Sequence, residues 1–168
     1  MNAPRRLDPT VYARTLARLR SPVAMFGFSL WSMPLAVFTG LRVEELTEAR
    51  CVVSLPFGWR TQNPFRSMHW AAQGIAAELA TALHASASIR AAPVPVRMIL
   101  ARSEAQFTRM CRGRARYVFE QVGAVREALE RTLASGASVN VATHVTGYDP
   151  DGEVISTWVF EWSFRARL

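Results

Sequence analysis

An α+β domain, an antiparallel sheet laid around one long central helix with short helices at the N-terminus, is the architecture the sequence predicts. Three observations carry that expectation. The stretch SMHWAAQGIAAELATALHASA, residues 67–87, is rich in Ala and Leu, contains no Pro and holds a single formal charge, Glu78. Ala and Leu are strong helix formers, and a helix that is apolar on most sides belongs in an interior. Segments with two-residue apolar alternation lie before and after it, in 41–55 and 139–166, as half-buried strands require. The order of elements is the third: helices, two strands, the long helix, then four strands with a helical insert, which is α+β rather than βαβ. The abundance of Ala says that something packs close to the central helix, as a curved sheet would.

From the N-terminus, MNAPRR reads as a frayed tail. Asp8-Pro9 is an N-cap followed by Pro at the first helical position, and opens a short helix to about Leu19. Ser21-Pro22 repeats the signal and opens a second helix, stopped near Pro34 and followed by an apolar connector. Residues 21–41 carry no charge and are long enough for a membrane span, but two prolines, two glycines and three serines interrupt them and arginines flank both sides. A core helix and connector is therefore expected, and no membrane partner. Residues 1–40 form a helical extension packed on the domain made by 41–168.

Two short strands follow, with Cys51, Val53 and Leu55 on one face, and Pro56 to Arg66 is a loop leading into the central helix. After that helix comes a long strand, Met98 to Arg109. CRGRAR is expected to turn the chain back into ARYVFEQ as a hairpin. VGAVREALERTLASG has helical spacing and ends on Gly136. The last two strands are joined by Asp149-Pro150-Asp151-Gly152, a strong turn sequence, and in the final strand Val154, Trp158, Phe160, Trp162 and Phe164 share a face.

Composition narrows the function. At 168 residues the chain can bury a real core, and its mixed, half-apolar composition excludes disorder. The net charge of +7 comes from arginine alone, since no lysine is present. It favours anionic partners, including phosphates on a small molecule, while no aromatic-plus-basic motif points to nucleic acid. Two cysteines give neither a disulfide framework nor zinc spacing, and reduced thiols suit a cytoplasmic protein. His84 and His144 are isolated, so no metal site is expected.

Within NPFRSMHWAAQGIAAE, Asn63, His69 and Glu78 have a fixed spacing: six residues from the first to the second, nine from the second to the third. That pattern, on a central helix of this kind, resembles the hotdog-fold thioesterase superfamily, and within it the phenylacetate-type acyl-CoA thioesterases and a branch of unassigned function. The likeness runs from about Leu41 to the C-terminus. Arg66 stands where that family usually has Gly, and Trp70-Ala71 replace a Gly pair. The resemblance implies a homodimer, or a dimer of dimers, hydrolysing an acyl-CoA or related thioester at the subunit interface, with no cofactor beyond the substrate's own coenzyme A. Asn63, His69 and Glu78 would be the catalytic residues.

The helix geometry fits such a site. At about 100° and 1.5 Å per residue, His69 and Glu78 lie on opposite sides of the helix and about 13 Å apart, so they can act on one atom only across two subunits. Free N–H groups at the helix start, at Trp70 and Ala71, would hold an oxyanion. Glu78 would be nucleophile or general base, and Asn63 and His69 would orient the carbonyl or the loop. Gln73 and Thr81 are further polar candidates for a pocket wall. Arg112, Arg114 and Arg116, with Arg109, cluster at the expected turn and could meet coenzyme A phosphates. Asn63 before Pro64 is equally a turn residue, His69 equally a structural histidine, and the arginines equally a solvated tip. With the glycines replaced, a non-catalytic hotdog protein binding an acyl ligand or a partner is the alternative.

Overall fold

The computed structural model describes residues 6–167; the expected tail, apart from Arg6, lies outside them. Helix α1 (Pro9–Arg20) starts where Asp8 accepts the Thr10 and Val11 N–H groups on Oδ1 at 2.8 and 3.1 Å. Ser21 closes α1 and caps α2 (Pro22–Ser32), with Pro22 in the first turn. Proline recurs at position 34, and here the expected connector is instead a third short helix, α3 (Pro34–Thr39). The reason is local: Pro34 occupies N1, where a missing N–H does no harm, so it opens a helix as well as ending one. Gly40, at φ 74°, then turns the chain into the sheet. Among the described residues no helix is long and apolar enough to cross a membrane.

The strands β1 (Arg42–Leu46) and β2 (Cys51–Leu55) lead through the loop 56–69 to α4 (Trp70–Arg90), the central helix. After it come β3 (Val96–Phe107), β4 (Ala115–Phe119), α5 (Val122–Ser135), β5 (Val139–Tyr148) and β6 (Val154–Ala166). All six strands form one antiparallel sheet in the order β1-β2-β4-β5-β6-β3. This sheet around one helix is the hotdog fold.

The order corrects one expectation. β3 and β4 do not form a hairpin; β3 pairs with β6, and β4 inserts between β2 and β5. Length matching explains the exchange. β6 has 13 residues and pairs with 11 of the 12 of β3, whereas β4 has five and matches the five of β2. The segment 108–114 is therefore a crossover. It is held where the Met68 N–H donates to the Cys111 carbonyl (2.8 Å) and where Gly113 lies so close to the Pro150 ring that a Cβ would come within 2.5 Å of it.

The alanines do the work expected of them. Ala72, Ala76, Ala77, Ala80, Ala85 and Ala87 are buried, so the sheet can approach the α4 backbone. Trp158, Phe160, Trp162 and Phe164 of β6 fill the space between. Val154, expected with them, sits at the strand end and is exposed. α1 packs on α4, where the Tyr12 hydroxyl meets His84 Nδ1 at 2.8 Å. Burial and the nearby Arg126 and Arg20 hold the His84 pKa down at about 4, so this imidazole is neutral.

Candidate active site

The loop before α4 is built by Asn63. Its Oδ1 accepts the N–H groups of Phe65 (3.0 Å) and Ser67 (3.2 Å), and its Nδ2 donates to Ser67 Oγ (3.1 Å). An asparagine satisfying the backbone two and four residues on is a turn former, and this one closes the five-residue loop 63–67. Within it Arg66 has φ 56°, the one non-glycine residue in the left-handed region among the described residues. The His69 N–H returns to the Thr61 carbonyl at 2.7 Å, which fixes the direction in which α4 leaves the loop.

His69 is the N-cap of α4. Its Nδ1 accepts the Ala71 N–H at 3.1 Å, so the ring is neutral at that nitrogen and leaves Nε2–H to donate elsewhere. This corrects the reading of Ala71 as an oxyanion donor: its N–H is occupied by the histidine cap. The Trp70 N–H has no acceptor among the described residues, and the indole of Trp70 is exposed. The Ala72 N–H likewise has none, so two free donors stand at the positive end of a 21-residue helix, the second on a buried residue.

Glu78 lies two turns further along. It is half-buried, and among the described residues no side chain donates to its carboxylate or pairs with it. Burial alone raises its pKa above the ordinary 4.5. It shares a half-open stripe of α4 with Ala71, Gly74, Ile75 and Ala82, spaced as one helical face. Gly74 matters to that face: the Trp158 ring would lie 3.3 Å from a Cβ there. Trp158 in turn stands perpendicular to Phe107 of β3, centroids 5.4 Å apart, so the stripe lies on the side of α4 toward the free edge of β3.

Gln73 and Thr81 are turned away from that stripe and are fully buried braces. Gln73 Oε1 accepts from the hydroxyls of Tyr117 (3.1 Å) and Ser156 (3.0 Å), and Ser156 Oγ accepts the Trp158 indole N–H (2.9 Å). Thr81 Oγ1 accepts the Trp162 indole N–H (2.9 Å) and donates to the Glu78 carbonyl (2.9 Å). In place of the expected pocket wall, both link helix to sheet through buried hydrogen bonds. The sequence offers one signal for Tyr117, its alternation with Ala115 and Phe119, and none for Ser156.

The arginines separate. Arg116 pairs with Glu44 at 2.9 Å and Arg109 with Glu153 at 3.2 Å; Arg114 donates to Ser54 Oγ at 3.2 Å, and Arg112 is exposed beside Met110. With the hairpin gone they make no single tip, and only Arg112 and Arg114 carry no carboxylate partner among the described residues. Among those residues no group of histidine, cysteine, aspartate or glutamate is arranged to hold a metal ion.

Solved structures of the same fold place this geometry among known proteins. A Pseudomonas aeruginosa protein of unknown function, described as a probable thioesterase, is 18% identical with a TM-score of 0.67, and the match covers 98% of this chain and 100% of that one. A Haemophilus influenzae thioesterase is 12% identical with a TM-score of 0.59, over 82% of this chain and 87% of that one. A Staphylococcus aureus thioesterase is 11% identical with a TM-score of 0.60, over 79% and 99%. That last protein has been solved with a glutamine and, separately, a glutamate replaced by alanine, fifteen positions apart. A search of curated proteins found none that matches. A family model described as a domain of unknown function, DUF4442, matches residues 29–163, most of the chain, and the protein therefore belongs to the DUF4442 family.

Proposed function

We propose that the protein is a homodimeric hydrolase of an acyl-CoA or a related thioester, with Glu78 as general base. The observation that carries this is Glu78 itself: a half-buried carboxylate with a raised pKa, no ionic partner among the described residues, and a place on the one open stripe of a buried helix. A carboxylate held this way is a better base than one in water, and its environment is what a general base requires. The named relatives support the reading, and Asn63 and Glu78 are fifteen positions apart in this chain too.

The second subunit comes in at β3. Residues 99–107 of this edge strand are exposed throughout, Ile99, Leu100 and Phe107 among them, and one side of the strand has no hydrogen-bonding neighbour. A long, exposed edge strand with unpaired backbone groups is a template for another strand. Pairing of β3 with its own copy would bring the open stripe of one α4 toward the helix start of the other.

In that arrangement Glu78 of one subunit takes a proton from water as its oxygen bonds to the thioester carbonyl carbon. The oxyanion is met by the partner's Trp70 N–H at the helix start. The C–S bond then breaks, and the thiol leaves with the proton from Glu78. His69 caps the helix that presents the donor, and its Nε2–H orients the carbonyl. Arg112 and Arg114 are the cations free to meet phosphates of the leaving group, whereas Arg116 is neutralised by Glu44. The occupied Ala71 N–H favours a second reading, a hotdog protein that binds an acyl group without cleaving it.

Thiol release from short, medium, long and aromatic acyl-CoAs decides between the two, with the mixed dimer as its sharper arm. His69→Ala and Glu78→Ala chains, each inactive alone, should form mixed dimers with one intact site when co-expressed. Random pairing makes about half the dimers mixed, so the pool should recover roughly a quarter of wild-type activity. Ligand-induced thermal stabilisation without thiol release would establish binding instead of turnover. An active wild type with no rescue in mixed dimers would remove the two-subunit site.

A further inference from the structure

The surface made by α2 and α3 is inverted. Val23, Phe26, Leu30, Trp31, Leu35 and Phe38 are exposed, Trp31 to 91%, while Ser29 and Thr39 are buried. Trp59, in the loop after β2, is 80% exposed and stands edge-on to Phe38 with centroids 6.4 Å apart, which extends the patch onto a second segment. A continuous exposed apolar surface of this kind marks an interaction site.

Charge identifies the occupant. From residue 9 to residue 43 the chain carries Arg14, Arg18, Arg20 and Arg42 and no carboxylate; from 56 to 77 it carries Arg60 and Arg66 and none. Arg20, Arg42, Arg60 and Arg114 line one cleft of about 700 Å³ together with Met25 and Phe26, so the cations border the apolar patch in space as well as in sequence. Two copies of this surface placed face to face would oppose their arginines. An anionic lipid surface accepts both halves: acyl chains meet the aliphatic and aromatic side chains, headgroup phosphates meet the guanidinium groups, and exposed tryptophans settle at the boundary. α2, at 11 residues, and α3, at six, are too short to span a bilayer but long enough to lie in its surface.

We propose that the α2–α3 face, with Trp59, docks the protein onto the surface of an anionic lipid bilayer. α1, which carries these helices, packs against α4 and β1, at the end of the sheet order opposite the β3 edge, so docking leaves that edge open. Apart from Arg114, which lines the same cleft, the surface uses none of the residues assigned to thioester chemistry, and the substitutions that test it leave Arg114 in place.

The test is flotation of the full chain with vesicles of phosphatidylglycerol and phosphatidylcholine in equal parts, and with phosphatidylcholine alone. The protein should float with the anionic vesicles, with a blue shift of its indole emission, and bind the neutral ones at least ~10-fold more weakly. Trp31→Ser with Trp59→Ser, both largely exposed positions, should abolish flotation while circular dichroism and thermal unfolding stay as in wild type. Arg42→Gln with Arg60→Gln should weaken binding to anionic vesicles by ~10-fold or more and leave the residual binding to neutral ones unchanged. Failure of the wild type to float overturns the proposal, and so does flotation that survives the double tryptophan substitution. An oligomer that the tryptophan substitutions dissociate, with no vesicle binding, would assign the face to a second copy and overturn it equally.

Discussion

The two sides of α4 treat polar residues in opposite ways. Toward the sheet, Gln73 and Thr81 are buried, and each is bonded to side chains of the sheet: Tyr117 and Ser156 for the first, Trp162 for the second. Toward the β3 edge, Glu78 is half-buried and bonded to none among the described residues. Both sides sit in the same alanine-rich helix, so propensity cannot tell them apart. What separates them is whether burial is compensated. A buried amide or hydroxyl with its partner holds the fold in one register; a desolvated carboxylate without one is a standing cost that folding alone does not explain. On this contrast the one side is structural, and the chemistry proposed for the protein is placed on the other.

The largest expected effect tests the open side. Glu78→Gln keeps the shape and removes the charge, so turnover of a thioester substrate should fall by ~100-fold or more. Stability should move the other way. The folded-state pKa of Glu78 lies above its unfolded value, so the folded chain holds a proton that the unfolded chain releases, and stability falls as pH rises through that window. The glutamine variant escapes this loss. Its melting temperature should exceed that of wild type at pH 7, and the difference should shrink as pH falls and vanish below the ordinary 4.5, where Glu78 becomes protonated in both states. In wild type, turnover should rise with pH through an inflection above the ordinary carboxylate value. Full activity in Glu78→Gln, or a lower melting temperature at pH 7, would break the contrast.

The closed side predicts the converse. Thr81→Val keeps the volume but leaves the Trp162 indole N–H buried without its acceptor, at a cost of about 1–3 kcal/mol. Chemical denaturation should show that loss, while turnover per folded molecule stays at the wild-type level. Unchanged stability with lost turnover would return Thr81 to the pocket wall.

Legibility in the sequence follows the same division. The central helix and the weight of Glu78 could be read because both are local: an alanine-rich run with one charge says where the helix is and which residue must be explained. The caps at Asp8 and Ser21 are local too. The β3–β4 hairpin was misread because Cys111 to Arg116 looks like any tight turn, while the choice of partner is made by the length and inner face of β6, some 50 residues on. α3 was missed because a proline that ends one helix can start another, and six residues carry no periodicity. The bonds of Gln73 and Thr81 to Tyr117, Ser156 and Trp162 depend on strand order and could not be seen before it. Asn63 and His69 stand out by spacing, and a turn role and a structural role can be read for them; which N–H groups they hold, those of Phe65 and Ser67 and that of Ala71, appears only in three dimensions.

Arg66 is the smallest of these tests and bears directly on the loop that presents the helix start. Its φ of 56° puts a β-carbon where L-residues pay about 1–2 kcal/mol, and the hydrogen bonds of Asn63 to Phe65 and Ser67 hold it there. Glycine, the residue that the sequence resemblance leads one to expect at this position, has no such strain but adds freedom to the unfolded chain. The two effects oppose, so Arg66→Gly should stabilise by up to ~1 kcal/mol in chemical denaturation, with turnover unchanged or raised. Arg66→Ala removes the same guanidinium and keeps the strain, so it should leave stability at the wild-type level. If the glycine and alanine variants both destabilise, the guanidinium and not the backbone is what this position contributes, and the strained turn is held by the side chain that occupies it.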